Sequence, residues 1–252
     1  MKPRNTAFTL VELLVVIAII GILAALLFPA LRAANEFRDQ TAALSNMRQV
    51  GAAFILYAND NSYNLPSRVS GAAGGNKWPA LLAQYLSDVR VYASIYDLKN
   101  WVALGLTQTQ AIANDGNCTS FIMNGYNDLG TFANGEQTAP VQIRINAFPT
   151  TSNIILLGTP RNPTLAHPTQ GHNKQYYMDF EEAPNGNQND VLDLAAFNGG
   201  SNYLFADGSA RFMTQATYVA PDPNNPTQRY GDDLWCVDKS YVIPKIGSGG
   251  GR

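Results

Sequence analysis

The sequence is poor in charged residues, in histidine and in cysteine. Only 14% of its 252 residues are charged, whereas about 25% are charged in average soluble proteins. The formal net charge is -2, so the chain lacks the excess of basic residues that nucleic-acid binding requires. We therefore expect no nucleic-acid partner.

The motifs of several common enzyme classes are also missing. The sequence contains no GxSxG, P-loop or GxGxxG motif and no Cys/His nucleophile arrangement. Its only histidines, His167 and His172, lack the HExxH spacing or the Cys partner of a zinc site. Nothing in the sequence supports catalysis, and we interpret the chain as a non-enzyme.

Cysteine occurs only at Cys118 and Cys236. In an exported domain these two thiols could be oxidised to each other. The disulfide would close a long loop and add about 4–5 kcal/mol of stability in the chain-entropy model. Two separate buried thiols are the alternative, and the sequence leaves both open.

What the sequence does contain is one long apolar run, residues 8–30, behind a basic leader. The run matches the ~30 Å hydrocarbon core of a bilayer at ~1.5 Å rise per residue. It carries one carboxylate, Glu12, and an acid within a membrane is costly enough to indicate a function. Because Lys2 and Arg4 precede the run, we expect the amino terminus to face the cytoplasm and the remainder to be exported. No good A-x-A cleavage site follows, so the run should stay on the mature protein.

The stretch AFTLVE at residues 7–12, the charge of the leader, the apolar run and Pro29 form one pattern at this end of the chain. This pattern resembles the amino terminus of the type IV prepilins and pseudopilins. It implies that a prepilin peptidase cuts between Ala7 and Phe8 and that Phe8 is then N-methylated. Ala7 stands where Gly is usual in the family, so we expect cutting to be slower.

Glu12 has a physical role in such a family. Cutting before Phe8 creates a positive amino group, which Glu12 of a neighbouring subunit could neutralise in a filament. Two buried charges are tolerable only as a pair, so the pair would enforce register more than it adds stability. The alternative is that Glu12 lies at the headgroup boundary and has no role in assembly.

Pro29 is the second residue that we assign to assembly. It cannot donate a hydrogen bond to the carbonyl of Ala25, which predicts a kink or a local loosening of the helix. The resemblance implies that the helix unwinds there during assembly, whereas a kink at the end of a membrane span is the simpler alternative.

The predicted fold class is α+β and pilin-like. Apolar residues recur at three- and four-residue steps through residues 31–57, which predicts one helical spine from Phe8 to Asn59. Its first half spans the membrane and its second half packs on an antiparallel sheet. We expect a cleaved leader (1–7), an assembly helix (8–30), an amphipathic continuation (31–60), an exported α+β domain (61–246) and a disordered tail (247–252).

Short strand-like runs with turn residues between them predict the sheet. They cover residues 120–126, 141–148, 153–158, 175–180 and 201–213. The clearest is a hairpin from Asn202 to Met213, with Asp207 and Gly208 as a type I′ turn. We interpret Asp207 as a turn residue rather than a catalytic or metal-binding one.

The same hairpin carries a second resemblance. The stretch NGGSNYLFADG at residues 198–208 is similar to the C-terminal signature of a large group of long pseudopilin-like proteins. In that group a His precedes the Asp-Gly pair at the position that Phe197 occupies here.

An oxygen-rich stretch before the hairpin is a candidate calcium site. Ca²⁺ takes six to eight oxygen ligands, and the resemblance implies calcium in some relatives. No EF-hand spacing is present, so a plain solvated loop is the alternative. The candidate ligands are Asp179, Glu181, Glu182, Asp190 and Asp193.

The resemblance implies a structural subunit of a pilus-like filament, and it favours a type II secretion pseudopilin. A type IV pilin for adhesion or motility and a membrane-tethered binding module are the alternatives. The implied partners are other pilin subunits, the prepilin peptidase, and an inner-membrane assembly platform with its ATPase. The implied location is the bacterial inner membrane, crossed once, with the globular domain in the periplasm.

Overall fold

The computed structural model describes residues 10–66, 78–92, 121–124, 132–133, 136–137, 143–159, 177–178, 192–224, 226 and 229–236. The chain divides into two compact units, Met1–Arg38 and Asp39–Arg252. The predicted tail (247–252) lies outside the described residues.

Helix α1 covers Leu10–Asp60. Within the second unit its buried residues follow the helical period; they are Ala43, Met47, Val50, Gly51, Ala53, Phe54, Tyr57 and Ala58. The helix is continuous as predicted, but its buried face begins only at Ala43; Leu31 and Phe37, which the predicted continuation (31–60) includes, are exposed. The helix ends one residue beyond the predicted Asn59, where the Asn-rich cluster begins.

The carboxyl end of α1 is closed by backbone and side-chain hydrogen bonds. The N–H of Tyr63 donates to the carbonyl of Ala58 at 2.7 Å, and the Asn61 side chain donates to the carbonyl of Tyr57 at 2.8 Å. This bonding requires left-handed backbone at Ser62, with φ 56°, and Tyr63 continues it with φ 66°. Glycine is the usual residue at such a helix end.

Ser62→Gly is therefore expected to stabilise the protein. A residue with a Cβ pays a steric cost in the left-handed region that glycine does not. We expect a gain of about 0.5–1 kcal/mol in the free energy of unfolding, measured by urea denaturation of the full chain in detergent. Ser62→Val is the matched variant, because a β-branched side chain should lower stability at this φ. A loss of stability in Ser62→Gly would contradict this account.

The second unit is built on one mixed sheet. Its strands are β1 (Ile122–Asn124), β4 (Ile155–Gly158), β5 (Tyr177–Met178), β6 (Gly200–Phe205) and β7 (Ala210–Thr214). They stand in the order β5-β1-β4-β6-β7. Neighbouring strands from β1 to β7 are antiparallel, which confirms the α+β fold class. The edge strand β5 runs parallel to β1, so the expectation of a purely antiparallel sheet was wrong there. Strands β2 (Phe132–Ala133) and β3 (Glu136–Gln137) form a separate antiparallel pair.

Both faces of the sheet are covered. Leu204 of β6 belongs to the core that contains the buried face of α1. Its neighbours Tyr203 and Phe205 belong to a second core, together with Tyr218. Successive residues of a strand point to opposite faces, so Tyr203, Leu204 and Phe205 in the second half of β6 are apolar on both faces.

Three short α-helices pack around the sheet in the described part of the chain. Helix α2 covers Trp78–Leu82, and Trp78 stacks on Phe54 of α1. Helices α3 (Gln215–Val219) and α4 (Tyr230–Asp233) follow β7. The turn after α4 is tied to the sheet, because the Asn124 side chain donates to the carbonyls of Ile155 and Trp235 at 2.7 and 2.8 Å.

One ion pair accompanies the second core. The Arg229 guanidinium donates to both carboxylate oxygens of Asp232, at 2.6 and 3.1 Å. Burial raises the pKa of Asp232 above its ordinary value, and Arg229 opposes that shift. A carboxylate buried this deeply is retained because its charge is paired.

Of the predicted strand at 141–148 the structure describes residues 143–148, and for these the prediction was wrong. Within them only Arg144 bridges, to Asn64, and Ile145–Ala147 is a 3-10 turn. The chain here is held by the carboxyl end of α1, because Ile145 N–H donates to Tyr63 and Ile143 accepts from Leu65 N–H, both at 2.8 Å. Both of these hydrogen bonds join the segment to the loop after α1 and not to the edge of a sheet, so no longer ladder of strand pairing forms at residues 143–148.

The hairpin at 202–213 is present, but its turn is not type I′. That turn needs positive φ at both central residues, and of this loop only Gly208 has it, at 80°. The loop has three residues, Ala206 to Gly208, closed by the N–H of Gly208 bonding to Phe205 at 2.9 Å. The type I′ geometry occurs instead just before β6, at Asn198 (φ 37°) and Gly199 (φ 79°).

Candidate assembly site

The amino-terminal part of α1 exposes a continuous apolar surface. The large apolar side chains that it exposes are Leu10, Val11, Leu13, Leu14, Val15, Val16, Ile17, Ile19, Ile20, Ile22, Leu23, Leu26, Leu27, Phe28 and Leu31. Leucine, valine and isoleucine fill most positions, so the apolar surface surrounds the helix rather than forming a stripe. An apolar surface of this extent marks contact with a membrane or with other proteins.

This helix is long and apolar enough to cross a membrane, and none of its apolar window is buried within the protein. Glu12 is the only charged residue from Leu10 to Leu31, and the structure places it in the first turn of α1 as exposed. An acid at one end of an apolar helix can pair with a cation supplied at the same depth. The site can therefore join apolar packing to a single charge-dependent contact.

Pro29 lies inside α1, and the helix continues through it. The turns before and after Pro29 are helical, so the missing N–H of Pro29 does not break α1. The kink or unwinding at Pro29 stays a prediction.

A comparison with known families bears on this segment. Residues 2–28 match the family described as "Prokaryotic N-terminal methylation motif". The chain carries a prepilin-type N-terminal methylation motif. The motif covers the leader, Glu12 and most of the exposed apolar surface, and it confirms the resemblance inferred from the stretch AFTLVE.

Curated relatives share the same end of the chain. The protein named "Type II secretion system core protein G" from Aeromonas hydrophila is 43% identical over 61 residues, which is 24% of this chain and 43% of that protein. Its counterpart in Dickeya chrysanthemi is 39% identical over 62 residues, or 25% of this chain and 40% of that protein. The Pseudomonas aeruginosa protein of the same name is 35% identical over 70 residues, which is 28% of this chain and 49% of that protein. The chain thus spans less than half the length of these relatives. No solved structure shows a significant match.

The motif's processing residues, Ala7 and Phe8, lie outside the described residues. Cutting between them and methylation of Phe8 stay predictions. Cys118 is also outside, whereas Cys236 is buried with its Sγ 3.7 Å from the carbonyl oxygen of Asp232. The pairing of the two cysteines stays a prediction as well.

Of the five candidate calcium ligands, the structure describes Asp193 alone. Its Oδ1 accepts the N–H of Ala195 at 3.0 Å, and its carbonyl accepts the hydroxyl of Ser201, so this residue organises a local turn. The other four, Asp179, Glu181, Glu182 and Asp190, lie outside. Within the part of the chain that is described, no group of three or more His, Cys, Asp or Glu could hold a metal ion. Calcium binding stays a prediction.

The structure places Asp207 at the tip of the β6–β7 hairpin. Its Oδ1 accepts the N–H and the hydroxyl of Ser209, at 2.9 and 2.6 Å, and its Oδ2 pairs with Arg211 at 3.2 Å. These contacts all stabilise the hairpin loop. They give Asp207 a structural role.

Two residues that hold α1 on the sheet were not singled out as site residues from the sequence. A Cβ on Gly51 would lie 2.6 Å from Cδ1 of Leu204 and 2.9 Å from the carbonyl oxygen of Gly208. The Asn202 side chain donates from Nδ2 to the carbonyl of Gln40 at 3.0 Å. The signal for Gly51 was its position as a glycine in the middle of an amphipathic helix. The Asn202 contact had no local signal.

Proposed function

We propose that this chain is a structural subunit of a pilus-like filament, and specifically a type II secretion pseudopilin that supports protein export. The observation that carries the proposal is the exposed apolar surface of residues 10–31, with its single acid, inside a methylation motif. A helix with this surface needs either lipid or other helices around it. A filament subunit needs both in turn, first the membrane and then the neighbouring subunits.

The proposed sequence of events begins in the inner membrane. The chain is inserted with its leader in the cytoplasm and its second unit in the periplasm, as the basic leader favours. A prepilin peptidase removes residues 1–7 and methylates Phe8. An assembly platform driven by a separate ATPase then moves the helix from lipid into a bundle of identical or related helices.

Glu12 specifies the register in that bundle. The new ammonium group of Phe8 from one subunit meets the Glu12 carboxylate of the next, and each charge makes the other tolerable in an apolar surrounding. Apolar packing alone is non-directional, so a single charge pair decides which of many sliding positions is adopted. The chain contributes packing and a displayed surface rather than catalysis.

The secretion system is favoured over an adhesive pilus by the relatives named above. They share the assembly helix and cover about a quarter of the chain. The second unit, Asp39–Arg252, would coat the filament and present its surface to exported cargo.

Mass spectrometry of the mature amino terminus tests the proposal. When the full chain is produced with a prepilin peptidase, we expect a terminus at Phe8 that carries one added methyl group. Production without the peptidase is the control and should leave Met1 or Lys2 as the terminus. An uncut leader in the presence of active peptidase, or a cut near Ala30, would contradict the proposal and favour simple anchoring or release.

A further inference from the structure

Asn202 is a buried amide whose one hydrogen bond within the described structure reaches α1. It lies on β6 two residues before Leu204, on the face that packs against α1. Its side chain is fully buried, and its Nδ2 lies 3.0 Å from the carbonyl oxygen of Gln40, 162 residues away in sequence. Since a carbonyl only accepts, the amide must present its nitrogen to the helix.

Folding stability does not account for an amide at this position. In the described part of the protein, Oδ1 of Asn202 has no hydrogen-bond partner. A buried acceptor without a partner is unfavourable, and an apolar side chain of the same branching avoids that cost. The contact with Gln40 is the one interaction that an apolar residue could not make.

The effect of this contact depends on where Gln40 lies in α1. The buried residues of α1 run from Ala43 to Ala58, and at Gly51 the helix lies so close to the hairpin that a Cβ would clash with Leu204 and Gly208. Gln40 lies one helical turn before Ala43 and about 16 Å from Gly51 along the helix. The Asn202 contact therefore extends the attachment of α1 to the sheet by one turn beyond its buried residues.

We propose that Asn202 is a positioning residue for filament assembly: it holds the turn of α1 at Gln40, which precedes the buried residues of the helix, against the sheet and so keeps residues 39–60 aligned there. This inference rests on the proposed function. In a helical filament every subunit repeats the same head-to-tail contacts, so an error in the direction of one helix recurs at each step. Hydrogen bonds are directional, which suits the amide to this task better than another apolar contact.

Asn202→Leu in the full chain tests the proposal, because leucine keeps the branching and removes the donor. Hydrogen exchange in detergent micelles should become about 2- to 10-fold faster for amides 40–46, the range expected for loss of one net hydrogen bond. Amides 50–58 should exchange as in the wild type, since a general loss of stability would accelerate both segments. Filament yield, or helical order in filament images, should fall. Gln40→Ala is the matched control and should change neither readout, because the backbone carbonyl is retained.

The outcomes separate this role from the proposed function. Unchanged exchange at 40–46, equal acceleration of both segments, or faster exchange with normal filaments would each overturn the role of Asn202 and leave the filament function intact. A wild-type chain that forms no filaments would overturn the proposed function and this role with it.

Discussion

Glu12→Leu is expected to leave the chain in the membrane and to abolish its assembly into filaments. The substitution extends the apolar surface of α1, so insertion should be unaffected. In the bundle it would leave the ammonium of a neighbouring Phe8 buried without its partner, which costs about 3–5 kcal/mol. That penalty lowers the equilibrium constant for adding a subunit by at least about a hundredfold. Immunoblots of the membrane fraction and of sheared filaments measure the two expectations separately.

Glu36→Leu is the matched control for this experiment. Glu36 is an exposed acid in the same helix, beyond the apolar run, so its removal deletes one carboxylate without touching the proposed pair. We expect this variant to assemble like the wild type. Normal incorporation of Glu12→Leu into filaments would contradict the paired-charge model directly.

The helix was predictable because its information is local. Apolar residues at three- and four-residue steps define the buried face of α1, and the cluster that begins at Asn59 stops it. The observed end at Asp60 differs from the prediction by one residue. The exposed apolar surface was likewise visible as an uninterrupted run from residue 8.

Strands were predictable where a partner strand lies beside them in the sheet. The run at 153–158 is apolar throughout because Ile155 and Leu156 face different cores, a pattern typical of a strand covered on both faces. The run at 141–148 alternates just as a strand should. Its described part, residues 143–148, forms a single bridge because the segment beside it is the short stretch after α1. Which segment lies beside a strand is decided by tertiary structure and not by its own sequence.

The chain contains a type I′ turn next to β6, but the prediction placed it at the wrong pair of residues. Type I′ turns favour Asn-Gly, since asparagine tolerates positive φ better than most residues. Asn198 and Gly199 have that geometry, and the mutual hydrogen bonds of Phe197 and Gly200 close the turn at 2.9 and 2.8 Å. The Asp-Gly pair at 207–208 was assigned the type I′ geometry instead. A three-residue loop with glycine at its last position fits that pair equally well.

The contacts that hold α1 on the sheet could not be predicted in this way. In the sequence, Asn202 is an ordinary polar residue of a predicted hairpin. Its hydrogen-bond partner is a backbone carbonyl in the first quarter of the chain. Gly51 was visible only as an interruption of the apolar pattern. A glycine in a helix interior loses about 0.5–1 kcal/mol relative to alanine, and the structure shows what offsets that loss: a close approach of helix and hairpin.

Gly51→Leu is expected to destabilise the second unit severely. A Cβ at this position would lie 2.9 Å from the carbonyl oxygen of Gly208 and 2.6 Å from Cδ1 of Leu204. Leu204 can turn aside, but the Gly208 carbonyl belongs to the backbone of the hairpin tip and can move only with the hairpin. Overpacking a core usually costs about 1–3 kcal/mol. A whole isobutyl group between a helix and a backbone loop should reach about 3 kcal/mol or more, measured as a lower urea midpoint for the full chain in detergent.

Ala52→Leu separates this close approach from a general effect of leucine in α1. Ala52 is the next residue of the same helix and is exposed, and leucine and alanine are both good helix formers. Its unfolding free energy should stay within about 0.5 kcal/mol of the wild type. If Gly51→Leu and Ala52→Leu unfolded at the same urea concentration, the hairpin tip would not be touching the helix at Gly51.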